Sequence, residues 1–188
     1  MNIEKIIKES LAGILLLGSV ISLNAETIEQ QLMRHEGFRS HAYHDRKGNY
    51  AIGYGTSLGK PGARQHVEEV RAFGLDHQKL MLKQQSISHE QALKLMYQDI
   101  SKINSKAISA ISNYHQQPKE VKEVIVNMIY CHGFSGFMKY ETFRKNIELE
   151  DYISAAQALR NSEFYRNKLT RNRAEELRQK LLSVKKTR

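Results

Sequence analysis

In the stretch EGFRSHAYHDRKGNYAIGYGT two carboxylates, Glu36 and Asp45, stand nine positions apart. Such a pair can divide the work of breaking a glycosidic bond. One carboxylic acid protonates the leaving oxygen, while the other carboxylate activates water or attacks the sugar directly. The two settings differ in the way that division requires. Glu36 falls where a helix should end, close to Phe38 and Tyr43, and an apolar setting favours the neutral acid. Asp45 lies between His44 and Arg46 among turn residues, where a carboxylate stays ionised. Spacing alone leaves two readings open, a catalytic pair or two solvated surface charges, because a chain with 26% charged residues contains several such pairs.

Other chemistry-bearing patterns are weaker. His35-Glu36 opens like an H-E-x-x-H zinc motif, but Arg39 occupies the fifth position and the second ligand is missing. His41 and His44 read as solvated imidazoles in a strand-and-turn region. No G-x-S-x-G elbow or phosphate loop is present, and no metal or cofactor is implied. Cys131 is the sole cysteine, which excludes an intramolecular disulfide and reads as a buried free thiol.

The elements that must position Glu36 and Asp45 follow from periodicity and punctuation. Residues 26–35 predict a short helix with Ile28, Leu32 and Met33 on one face, ended by Gly37. Arg46-Lys47-Gly48-Asn49 has turn chemistry, and beyond it Tyr50, Ile52 and Tyr54 alternate with Ala51, Gly53 and Gly55. Period two puts the three small residues on one strand face, a bare surface along which an extended ligand can lie. Residues 63–86 carry one or two short helices. Ser88 and Gln91 form a capping-box pattern before a helix of about 25 residues, over about 88–113, long enough to join two lobes. Pro118 opens the next helix and Gly133 stops it; two or three further helices follow, including 151–160 and 173–184.

At 188 residues with a formal charge of +9, the chain is one domain of two lobes, attracted to polyanions. Nucleic acid, anionic lipid and anionic wall polymers all satisfy that charge, but no nucleic-acid motif accompanies it. Residues 11–23 form an uncharged apolar stretch of 13 residues, shorter than the roughly 20 that span a bilayer. Residues 1–25 therefore read as a signal peptide cut after Ala25, or as a releasable anchor, leaving a working part outside the cytoplasm at 26–188.

HEGFRSHAYHDRKGNYAIGYGTSLGK resembles the active-site segment of the phage-type lysozymes, glycoside hydrolases in which a glutamate ends the first helix, an aspartate follows nine positions on, and a G-x-G hairpin strand comes next. VIVNMIYCHGFSGF and AAQALRNSEFYRN with NRAEELR resemble that family's central buried helix and closing helices, so the likeness runs over about 28–182. It implies a lysozyme-like α+β fold, with a small hairpin-bearing N-terminal lobe, a long connecting helix and an all-helical C-terminal lobe. It further implies a monomeric muramidase acting on peptidoglycan, with Glu36 as acid, Asp45 as base and Arg173 setting the charge around Glu36. Gly53, Gly55, Tyr130 and Thr142 are the expected substrate contacts. One departure stands out. The family carries a threonine six positions after the aspartate, whose hydroxyl helps hold the attacking water, and this chain has Ala51. Thr56 and Tyr50 are the hydroxyls nearby in sequence, Thr56 being the expected catalytic support. Slower hydrolysis, a water held differently, or transfer to the sugar's own hydroxyl are the three outcomes that Ala51 leaves open.

Overall fold

The computed structural model describes residues 26–45, 48–60 and 64–184. The apolar segment 11–23, the proposed cut after Ala25, the turn residues Arg46 and Lys47, and the basic tail 185–188 lie outside them. Among the described residues no helix is long and apolar enough to cross a membrane.

Helix α1 spans Ile28–Glu36. Thr27 caps it: its hydroxyl accepts from the Gln30 amide, and the Gln30 side chain accepts from the Thr27 N–H, which satisfies two of the orphan donors of the first turn. Gly37 ends it at φ 68°, in left-handed backbone that glycine adopts without Cβ strain. The helix therefore runs one residue past the expected end, and Glu36 is its last member.

A three-stranded antiparallel sheet follows in the order β1 (Arg39–His44), β2 (Tyr50–Gly53), β3 (Thr56–Gly59). Tyr43 and His44 pair with Ala51 and Tyr50, and Ala51 and Ile52 pair with Ser57 and Thr56. The alternation expected to run from Ala51 to Gly55 stops at Gly53. Tyr54 and Gly55 form the turn into β3, with Gly53 at φ 65° and Gly55 at φ 88°. The three small residues consequently do not make one continuous bare face. Two short helices, α2 (Arg64–Arg71) and α3 (His77–Met81), complete this lobe, and the His77 ring bonds the Leu58 carbonyl at 2.7 Å.

Helix α4 (His89–Ala110) starts at the expected Ser88–Gln91 capping box and is about 33 Å long at 1.5 Å per residue. Its two halves serve different cores. Ala92, Leu95, Met96 and Ile100 pack with Leu32, Ile52 and other residues of the sheet lobe. Ala107 and Ala110 pack with Val124, Ile125, Met128, Phe137 and Phe143 in the helical lobe, and Ile103 touches both clusters. A 3-10 turn (Tyr114–Gln116) leads to α5 (Lys119–His132), for which Pro118 is the N-cap and Gly133, at φ 72°, the stop. More helices follow than the two or three expected: α6 (Phe134–Phe137), α7 (Glu141–Glu148), α8 (Tyr152–Arg160), α9 (Glu163–Arg166) and α10 (Arg171–Leu182). Two of them, α6 and α9, are single turns of four residues, too short to show a hydrophobic period in sequence. Cys131 is partly exposed rather than buried, being near the end of α5.

Candidate active site

Glu36 meets the far end of the chain. Arg173, in the first turn of α10, donates from Nη1 to Glu36 Oε1 at 2.7 Å across 137 residues of sequence. The guanidinium is fixed from behind by Asn127, which is fully buried in α5. Its Oδ1 accepts from Arg173 Nε at 2.6 Å, and its backbone carbonyl accepts from Nη2 at 3.4 Å. One planar cation is thus held on two edges, leaving a defined N–H for the carboxylate. On the other side, a Cβ added at Gly55 would come within 3.3 Å of Glu36 Oε2, so the backbone of the β2–β3 turn closes directly on the carboxylate. The apolar setting expected around Glu36 is therefore replaced by a cation and a bare backbone. Phe38 turns away, stacking on His89 with ring centroids 3.6 Å apart.

Asp45 is organised locally. The Asn49 amide donates to Oδ1 at 2.8 Å and the Asn49 side chain to Oδ2 at 3.3 Å, while the Asp45 N–H donates to the Asn49 carbonyl at 2.8 Å. These bonds join the end of β1 to the start of β2 at the carboxylate. Tyr43, two residues earlier on β1, senses both acids. Its phenol is raised above the ordinary value, first by burial, then by the negative charge of Glu36 and, less strongly, that of Asp45; Arg39, whose guanidinium lies 4.4 Å over the ring, opposes this.

The remaining expected residues separate by position. Gly55 and Tyr130 both line a cavity of about 200 Å³ between the lobes, together with Ser57, Glu69, Asp99 and Lys102. Tyr130 also ties the lobes, donating from its hydroxyl to the Tyr54 carbonyl at 2.6 Å. Gly53 faces the other way: a Cβ there would stand 2.9 Å from Ala92 Cβ and 3.2 Å from Ile87 Cδ1, so this glycine admits α4 against the sheet. Thr142 is exposed on the first turn of α7. Ala51 is buried at the centre of β2. Of the two hydroxyls nearby in sequence, Thr56 is buried and donates to Asp99 Oδ2 at 2.7 Å, and Tyr50 packs its ring on His44 with centroids 4.2 Å apart. Tyr50 also borders a cavity of about 780 Å³ beside α2 and α3, whose lining includes neither carboxylate.

Two residues of the site escape a reading of the sequence. Asn127 sits in the apolar run VIVNMIY, and an amide at a buried helical position is the available signal, since buried polar groups are retained with partners. Asp99 lies on α4 facing the cavity. Burial raises its carboxyl to about 6, against the opposing Thr56 hydroxyl and Lys102 charge. Nothing in the spacing of α4 marks it.

A sheet-bearing lobe and a helical lobe sharing one long helix, with a glutamate at a helix end gripped by an arginine from the last helix, define a lysozyme-like α+β enzyme fold. The phage lysozyme family model matches residues 33–176, a span that includes Glu36, Asp45 and Arg173, and the chain belongs to that family. It is similar to the probable T4-type lysozyme 2 of Dictyostelium discoideum, 29% identical over 145 residues that cover 72% of this chain and 83% of that protein. Membership makes the chain a glycoside hydrolase, a lysozyme-like muramidase with peptidoglycan as substrate.

Proposed function

We propose that the chain is an exported muramidase that hydrolyses the β-1,4 bond between N-acetylmuramic acid and N-acetylglucosamine, with Glu36 as general acid and Asp45 as general base. The observation that supports this reading is the Arg173–Glu36 contact at 2.7 Å, which brings the start of α10 to the end of α1 and holds one carboxyl beside Gly55 of the β2–β3 turn. Glu36 gives its proton to the leaving oxygen as the bond to the anomeric carbon breaks. Asp45 takes a proton from the water that attacks the same carbon from the opposite face. Gly55 and Tyr130 line the path of the glycan, and Thr142 is a further contact from the helical lobe. Residues 1–25 direct export, and the charge of +9 concentrates the enzyme on anionic wall or membrane surfaces. No cofactor enters the reaction, and the protein works as a monomer without nucleic acid.

A second reading keeps substrate and acid but sends the anomeric carbon to the sugar's own hydroxyl, giving anhydro ends; Ala51, which offers no hydrogen bond to water, is the observation in its favour. Mass analysis of products from residues 26–188 and purified peptidoglycan separates the two. Reducing muramic ends support hydrolysis, and anhydro ends support transfer. Glu36→Gln is expected to lower either rate by at least about a hundredfold; lysis by that variant at the parent rate overturns the assignment of the acid.

A further inference from the structure

Arg173 serves Glu36 only while the start of α10 stays in register with the end of α1. The apolar faces of these two helices belong to different cores. Ile28, Leu32 and Met33 of α1 pack in the sheet lobe, whereas Ala174, Leu177 and Leu181 of α10 pack in the helical lobe. The contacts that cross from one helix to the other at the acid are polar, and they come in two sets. Arg34, His35 and Glu36 are the last three residues of α1, and they meet Arg173 and Glu176, three positions apart on one face of α10.

The first set is the Arg173–Glu36 bond. The second reverses its charges. Arg34 donates from Nη1 and Nη2 to the two Glu176 oxygens at 3.2 and 3.0 Å, and His35, only 9% exposed, places Nε2 3.2 Å from Glu176 Oε2. Glu26 holds Arg34 from behind, accepting from Nε and Nη2 at 3.0 and 2.8 Å. The Arg34 fork is thus fixed on two edges, as the Arg173 guanidinium is by Glu36 and Asn127. A helix pinned at one point can pivot; a second point one turn further on prevents it. The Arg34 and Glu176 side chains are 47% and 45% exposed, so their pair adds little stability. Its effect is on direction, to which catalysis responds steeply: a misplacement of about 1 Å can cost about a hundredfold in rate.

We propose that Glu176 is a positioning residue for the acid, clasping Arg34 and His35 so that Arg173 Nη1 stays on Glu36 Oε1. This rests on the reading of Glu36 as the general acid. Glu176 acts through Arg173 and takes no proton in the reaction. The clasp is separable from the fold, because Val126 of α5 packs in the sheet-lobe core and keeps the lobes joined when it is cut.

The test is a double-mutant cycle on the full chain with purified peptidoglycan, reading kcat, KM and melting temperature. Glu176→Ala is expected to lower kcat about tenfold with KM unchanged, while the melting temperature falls by no more than about 4 °C. In an Arg173→Ala background the same substitution should cost no further kcat, because the arginine it positions is gone, yet its small melting shift should persist. A merely structural role moves both readouts equally in the two backgrounds. A parent kcat in Glu176→Ala overturns the proposal, as does a tenfold loss that recurs without Arg173. If Glu176→Ala does not fold, Glu176→Gln, of the same size and with one acceptor oxygen, carries the same cycle with a loss of about threefold. Glu36→Gln run in parallel keeps the two failures apart. If it is inert while Glu176→Ala is unaffected, only the positioning role falls; if it is active, the reading of the acid falls and the positioning role with it.

Discussion

Glu36 and Asp45 are supported in opposite ways. Glu36 depends on residues from three distant elements, α10, α5 and the β2–β3 turn, and its arginine partner is 137 residues away. Asp45 depends on Asn49, four residues on, and on the turn that both residues make. Glu36, the proposed acid, is therefore as well placed as the packing of one lobe against the other, while Asp45, the proposed base, is held by a bonded partner only four residues away. A perturbation of the interlobe contacts should reach the first and spare the second.

The largest test of that contrast is Arg173→Ala. It strips Glu36 of its partner and leaves Asn127 Oδ1 buried without a donor, so a stability loss of about 2–3 kcal/mol is expected, measured by urea unfolding, together with a fall in kcat. A stability within a few tenths of the parent would mean that the acid is not held by the interlobe contact. Asp99→Asn probes a third carboxyl that belongs to neither pattern, half-buried at the interlobe cavity with the Thr56 hydroxyl as its donor. Its pKa of about 6 lies above the ordinary value of 3.8, so the folded state holds this proton more tightly than the unfolded chain. The associated stability is fully present below about pH 4 and is lost as pH rises through about 6. An amide at this position mimics the protonated carboxyl at all pH values. The variant is expected to gain on the order of 2 kcal/mol over the parent at pH 7 and little at pH 4. Equal gains at both pH values would show that burial of the charge is not the cause. The smallest effect belongs to Asn49→Ala, which removes only the side-chain bond to Asp45 Oδ2. Stability should change by less than about 1 kcal/mol, with a several-fold drop in kcat and the Arg173–Glu36 contact undisturbed. A stability loss rivalling that of Arg173→Ala would erase the distinction between the two supports.

Much of the frame is legible in the amino-acid string itself. The caps at Thr27 and Ser88, the stops at Gly37 and Gly133, and the apolar periods of α4 and α5 are local signals, and local signals act through residues three or four apart. Glu36, Asp45 and Arg173 are legible through a family likeness that spans both halves of the chain. The features that stay hidden in sequence depend on approach. Gly53 and Gly55 look alike in the string GYG, yet one accommodates a helix and the other a carboxylate, because the strand ends between them. The pairing of Ala51 with Ser57 is a matter of register, and a slip of one residue would have put a different side chain beside Ala51. Asn127 acquires its meaning only once α10 lies against α5.

That α10 completes the site has a consequence in time. Arg34 on α1 forks the Glu176 carboxylate on α10, with contacts of 3.2 and 3.0 Å, so the first described helix is fastened to the last. A chain emerging from a ribosome releases α1, the sheet and α4 long before α10, and the earlier segments begin to fold as they appear. Throughout that interval the hairpin can already hold its aspartate, while the glutamate waits without the arginine. The contact between Glu36 and Arg173 thus forms only after α10 has been made, later than every other element that surrounds this carboxylate.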